Sequence, residues 1–124
     1  MLYNTKNPHG GDIYDSPVEL DYSANINPFG TPPAVKRAMA DALEQVVHYP
    51  DPYCRKLVAA ISAHEGVPES YILCGNGAAE LIYSYAEAVH ARRALETAPT
   101  FSEYSLALEK TGCEVLRYEL GEED

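Results

Sequence analysis

Apolar residues recur at helical spacing through most of the chain and at strand length only in its second half. Val35, Ala38, Met39, Ala42, Leu43 and Val46 lie on one helical stripe. That spacing predicts a helix opening near Pro32 or Pro33, with Thr31 as its cap. A second helix is expected after Asp51, with Pro52 at its first position and Cys54, Leu57, Val58 and Ile61 as its stripe; Gly66-Val67-Pro68 stops it. Tyr71–Cys74 reads as a short buried strand. Ala78 to about His90 reads as a helix that turns Leu81, Ile82, Tyr85, Ala86 and Val89 inward. Arg93–Thr97 is expected as a strand, Ser102–Thr111 as a helix ended by Gly112, and Cys113–Tyr118 as a strand.

From residue 71 onward the expected order is strand, helix, strand, helix, strand. This predicts an α/β fold with a mainly parallel sheet. Three such strands leave an open sheet edge and uncovered faces, so the chain is expected to be the front third of something larger. Residues 1–31 show neither period. Asn7-Pro-His-Gly-Gly-Asp12 and Leu20-Asp-Tyr-Ser-Ala-Asn-Ile-Asn-Pro-Phe-Gly30 are rich in turn formers and imply extended backbone broken by turns. An irregular arm of that length is usually functional or wrapped on a partner. The expected division is an arm (1–31), a helical segment (32–68) and the first part of an α/β domain (69–124).

Composition narrows the function classes. Hydrophobic residues make up 46% of the 124, which predicts a packed core and not disorder. A net charge of −10 argues against a nucleic-acid partner and gives no support for an anionic membrane surface. No apolar run approaches the ~20 residues of a membrane span, and Met1–Lys6 has no apolar signal region. Cys54, Cys74 and Cys113 are scattered and odd in number, as expected of reduced thiols in a cytoplasmic protein. His48, His64 and His90 show no metal-ligand spacing and read as structural or surface residues.

The candidate chemistry centres on Ile72-Leu-Cys-Gly-Asn-Gly-Ala-Ala-Glu-Leu-Ile82. A glycine turn between a strand and a helix points backbone N–H groups and a helix N-terminus at one spot, which suits a phosphate. By itself, Gly75-Asn76-Gly77 is equally accounted for as a tight turn. Glu80 is either a cap for the turn's amides or a solvated acid of the first helical turn.

Four motifs stand together in order: Asp21-Tyr-Ser-Ala-Asn-Ile-Asn-Pro-Phe-Gly30, His48-Tyr-Pro-Asp-Pro52, Gly75-Asn-Gly-Ala-Ala-Glu80 and Pro99-Thr-Phe-Ser-Glu-Tyr104. Jointly they resemble the N-terminal third of fold-type I pyridoxal-phosphate (PLP) enzymes of the histidinol-phosphate aminotransferase branch. The opening Pro8-His-Gly-Gly11 with Ser23-Ala-Asn-Ile-Asn-Pro28 looks most like the threonine-phosphate decarboxylases of cobalamin biosynthesis. The resemblance covers residues 8–118 and implies an incomplete three-layer PLP-dependent transferase fold.

The resemblance also implies roles, position by position. Gly77, Ala78 and Ala79 match the turn whose amides hold the PLP phosphate; related sequences often carry a polar residue at Ala79, so here the backbone would do more of the binding. Phe101 matches the aromatic that stacks on the pyridine ring, with Tyr104 a weaker candidate. Tyr49 matches a tyrosine that crosses a homodimer interface to the neighbouring subunit's PLP phosphate. His9 matches the arm that binds the substrate phosphate. Asn25, Asn27, Pro28 and Gly30 match the segment lining the substrate side. The implied activity is decarboxylation of L-threonine O-3-phosphate to (R)-1-aminopropan-2-yl phosphate. An aminotransferase acting on histidinol phosphate is the alternative, and a non-catalytic fragment is another. The family's Schiff-base lysine, pyridine-pairing aspartate and carboxylate-gripping arginine belong to later segments. None of Lys6, Lys36, Lys56 and Lys110 has a site-like context, so no catalytic residue is assigned within this chain.

Overall fold

The computed structural model describes residues 10–14 and 19–121. Its residues fall into two compact units, Met1–Pro50 and Asp51–Asp124. The described elements are α1 (Pro33–Asp41), α2 (Arg55–Glu65), α3 (Ala78–Val89), β1 (Arg93–Ala98), α4 (Glu103–Lys110) and β2 (Glu114–Glu119), with short 3-10 turns at Leu43–Gln45 and Glu69–Tyr71.

In the first unit, α1 opens as expected at the proline pair, but the cap is Pro32 and not Thr31. Pro32 has extended backbone, and its carbonyl accepts from the N–H groups of Val35 and Lys36 at 3.0 and 3.1 Å. No side chain caps the helix. The helix is also shorter than its apolar stripe. After Asp41 the chain tightens into the Leu43–Gln45 turn, so Leu43 and Val46 leave the helix. Val35, Met39, Leu43 and Val46 are all exposed.

The second unit opens on a turn that the proline pattern does not reveal. Pro52 does not start α2. The Asp51 carboxylate accepts from the backbone N–H of Tyr53 (3.1 Å) and Arg55 (2.9 Å), and it pairs with the Arg55 guanidinium at 3.0 Å. Cys54 takes a left-handed conformation (φ 48°), so it belongs to the turn and not to the helix stripe. Three residues are thus spent in the turn before Arg55 begins the helix. Gly66, left-handed at φ 68°, ends α2 where the sequence places the stop.

Tyr71–Cys74 is not a strand. Tyr71 closes a 3-10 turn, and Ile72 is extended. No ladder partner is described for the segment. A strand exists only where a neighbour takes up its backbone groups, and the described sheet has two members, β1 and β2. These pair in parallel from Arg93 with Glu114 to Ala98 with Glu119. Parallel neighbours need a crossover between them, and α4 supplies it, packing on both strands and on α3.

The packed core expected from composition is nearly absent among the described residues: only Ala86, Ala107 and Cys113 are buried apolar residues. One helix layer on two strands can enclose little. Tyr85 and Val89, expected inward, remain 70% and 51% exposed, and Leu95 on β1 is 71% exposed. Ala107 is 1% exposed, so Ala107→Leu is expected to overpack the α4 contact and cost about 1–3 kcal/mol, read as a lowered midpoint in urea unfolding.

Hydrogen bonds from Arg55 and Tyr53 N–H hold the Asp51 carboxyl below its usual 3.8. A depressed carboxylate contributes above its ordinary value and loses that contribution as pH falls through the lowered one. The Asp51 turn is therefore expected to stay intact at neutral pH and to open only in acid below about pH 3.8. Faster amide exchange at Arg55 in that window, reproduced at neutral pH by Asp51→Ala, checks this.

Candidate functional site

The turn before α3 is built by crowding on one side and open space on the other. A Cβ on Gly75 would meet Glu80 Oε2 and Leu81 Cδ2 at 2.9 Å, so the backbone can pass only as glycine unless those side chains shift. Glu80 reaches back and accepts from the Asn76 N–H, which decides its role as a cap of the turn. Gly77 has φ 85° and ψ 169°, a region only glycine adopts readily. Nothing lies within 4 Å of where its Cβ would be.

The Gly77 N–H already donates to the Gly75 carbonyl at 3.0 Å. Ala78, Ala79 and Glu80 occupy the first turn of α3, where N–H groups have no intrahelical acceptor. Their amides lie at the positive end of a 12-residue helix. Such a turn fits a phosphate on its own geometry: first-turn amides, small side chains and no Cβ over Gly77.

Phe101 sits between β1 and α4. It is 44% exposed and meets the Tyr104 ring edge-to-face at 5.8 Å. The segment leading to it contains a cis Ala98–Pro99 peptide.

Sequence reasoning missed the link between these two elements. The Tyr83 hydroxyl on α3 bonds the carboxylate of Glu103 on α4, and Glu103 is only 7% exposed. Partial desolvation first, then the hydrogen bond and charge of Glu103, push the Tyr83 hydroxyl above its ordinary 10.0. Lys110 Nζ lies 5.5 Å from the Tyr83 ring centre. The inward spacing of Tyr83 was hidden because it falls off the apolar stripe of Leu81, Ile82, Tyr85, Ala86 and Val89.

In the first unit the turn formers are held by local hydrogen bonds. Asp21 accepts from the Ser23 backbone N–H at 2.8 Å and from its hydroxyl, while Ser23 Oγ accepts from the Gly11 N–H at 2.9 Å. The Ser23 hydroxyl is the main reason the Asp21 carboxyl lies below its usual value. A Cβ on Gly10 would lie 1.7 Å from the Ser23 carbonyl oxygen. Only glycine can make that approach. Asn27 is spent on its own turn: Oδ1 accepts from Phe29 N–H (3.1 Å) and Nδ2 donates to the Gly30 carbonyl (2.9 Å). Gly30 is left-handed at φ 69°, and Asn25 is exposed. Tyr49 is fully exposed. His9 lies outside the described residues, as does Lys6.

Lys36, Lys56 and Lys110 are exposed helix residues. Among the described residues no cluster of histidine, cysteine or acids could hold a metal ion, and the three cysteines are free. No helix among them is long and apolar enough to cross a membrane.

Known proteins match this chain along nearly its whole length. Residues 18–124 match the model of aminotransferase class I and II. The chain belongs to this family. Threonine-phosphate decarboxylase of Salmonella typhimurium is 44% identical over 99% of this chain and 35% of its own length. The adenosylcobalamin biosynthesis bifunctional protein CobDQ of Leptospira interrogans is 36% identical over 81% of this chain and 12% of its own. The crystal structure of the histidinol-phosphate aminotransferase from Clostridium acetobutylicum superposes with a TM-score of 0.69 at 30% identity, over 82% of this chain and 30% of that one. The chain therefore has part of the aminotransferase α/β fold and spans about a third of the length of the Salmonella relative. Members of the family are PLP-dependent.

The turn makes a testable distinction between two kinds of glycine. Gly77→Ala is expected to cost about 1–3 kcal/mol through backbone strain alone, because space for the methyl group is open. Gly75→Ala is expected to displace the Glu80 cap, and Glu80→Ala should reproduce its effect. Amide exchange at Asn76 and in the first turn of α3 reads both.

Proposed function

We propose that this chain is the N-terminal part of a PLP-dependent decarboxylase that acts on L-threonine O-3-phosphate in cobalamin biosynthesis. The observation that carries this reading is 44% identity to a threonine-phosphate decarboxylase across 99% of the chain. The bifunctional cobalamin-biosynthesis relative adds support.

In this reading the amides of Ala78 and Ala79, with Gly77 leaving room, bind the PLP phosphate. Phe101 stacks on the pyridine ring and keeps water from its face. Bound PLP supplies an electron sink for the charge left on Cα of an amino acid. The arm handles the substrate: His9 donates to its phosphate, and Asn25, Asn27 and Gly30 line the carboxylate side. Because the Asn27 side chain already serves its own turn, its contribution is best drawn from backbone. Tyr49, fully exposed, extends to the PLP phosphate of a neighbouring subunit in a cytoplasmic homodimer. The arm, the helical segment and the start of the PLP-binding domain are assigned to residues 1–31, 32–68 and 69–124. The lysine that holds PLP covalently is assigned to a segment outside these residues.

The likeness to a histidinol-phosphate aminotransferase structure supports a second reading, a PLP-dependent aminotransferase of the histidinol-phosphate type. The two differ in what they consume. The complete enzyme containing this chain is expected to release CO2 from L-threonine O-3-phosphate with no oxo acid present. A strict need for 2-oxoglutarate, with no CO2 formed, would establish the aminotransferase reading instead. Phe101→Ala is expected to weaken PLP retention by up to about tenfold, the loss of one stacking contact of ~1.4 kcal/mol, measured by equilibrium dialysis.

A further inference from the structure

Two candidate contacts for PLP sit on different elements of the second unit: the amides of Ala78 and Ala79 at the start of α3, and Phe101 just ahead of α4. Phe101 is fixed to α4 twice. Its carbonyl accepts from the Tyr104 N–H at 3.2 Å, and its ring meets the Tyr104 ring edge-to-face at 5.8 Å. Whatever sets α4 against α3 therefore also sets Phe101 against the glycine turn.

Shape alone does not fix that setting. The residues buried on these two helices include Ala86 on α3 and Ser105 and Ala107 on α4, all small. Small side chains allow close approach, but apolar contact is non-directional and does little to stop one helix sliding along the other. The directional contact is Tyr83. It stands one turn beyond Ala79 on the same face of α3, and its hydroxyl donates to the carboxylate of Glu103, the first residue of α4. Lys110, the last residue of α4, places Nζ 5.5 Å from the centre of the Tyr83 ring. Both ends of α4 thus hold one side chain of α3. Glu103 is buried, at 7% exposed. An acid in a first helical turn favours the helix dipole from an exposed position as well, so the dipole does not account for the burial. Burial of a carboxylate is unfavourable unless its oxygens are hydrogen-bonded, and the bond from Tyr83 meets that need.

We propose that Tyr83 and Glu103 are positioning residues that set the spacing between the amides at the start of α3 and the Phe101 ring, so that one PLP molecule engages both at once. The inference rests on the PLP reading of those two contacts and holds for decarboxylase and aminotransferase alike. A ligand that grips two sites together gains from their correct spacing, whereas a ligand that grips one of them does not.

The test is equilibrium dialysis on the apo form of the complete enzyme containing this chain, with PLP, pyridoxal and inorganic phosphate as separate probes. Tyr83→Phe keeps the ring and removes only the hydroxyl. It is expected to raise the Kd of PLP about three- to tenfold through lost preorganisation, while pyridoxal, which has only the ring, and phosphate, which has only the anion, keep theirs. Glu103→Ala should reproduce that pattern. Glu103→Gln, which retains an acceptor oxygen, should bind PLP like the unsubstituted enzyme. Tyr83→Phe combined with Glu103→Ala should be no weaker than either alone, as expected of two partners in one bond. An unchanged Kd for PLP in Tyr83→Phe would overturn the proposal, whatever happens to the midpoint of urea unfolding. So would an equal loss for all three probes, which marks general damage to the fold, or a Glu103→Gln as weak as Glu103→Ala. Phe101→Ala separates this proposal from the reading beneath it. If Phe101→Ala weakens PLP binding and Tyr83→Phe does not, the positioning role alone falls. If Phe101→Ala leaves PLP and pyridoxal unchanged, the stacking reading falls and the positioning role falls with it.

Discussion

Parallel pairing of β1 with β2 is the constraint on which the second unit depends. Two parallel neighbours begin at the same end of a sheet, so the chain must travel back along the sheet before β2 can start. The return is α4, which fits because Ala107 and Ser105 present little bulk where the helix is buried. Once α4 is placed, the segment that enters it carries Phe101 to the end of β1. The Tyr83–Glu103 bond then ties α3 to α4, and the glycine turn at the start of α3 is held relative to Phe101. Two candidate cofactor contacts, far apart in kind, thus derive their relation from one crossover.

In the proposed reading, backbone geometry, more than side-chain charge, supplies the anion chemistry. The chain carries ten net negative charges, yet its most suitable phosphate site uses none of its cations. Amides at the start of a helix are fixed dipoles whose orientation is set by the fold. Glu80 contributes by taking the Asn76 N–H and fixing the turn. Small side chains at 77–79 then matter for access, not for binding in their own right.

The exposed apolar faces and the buried Glu96 Oε2, which has no hydrogen-bond partner among the described residues, describe the same condition from two sides. Apolar area left in water and an acceptor left dry are both unfavourable. The Tyr71–Cys74 segment fits the same picture: its residues favour a strand, but no described neighbour completes its ladder.

Periodicity and punctuation in the sequence determined the α/β class, the limits of α3, β1, α4 and β2 to within a residue or so, and the family through motifs whose order is specific. These features are local: spacing, glycine stops and proline starts act over a few residues. Tertiary structure decided what depends on partners. It moved the start of α2 past Pro52, because Asp51 captures the Tyr53 and Arg55 amides. It withheld the strand at 71–74, because ladders need neighbours. It resolved Glu80 as a cap, committed the Gly77 amide to Gly75, and revealed the Tyr83–Glu103 bond. Those outcomes hang on contacts between residues whose meeting no pattern along the chain can specify.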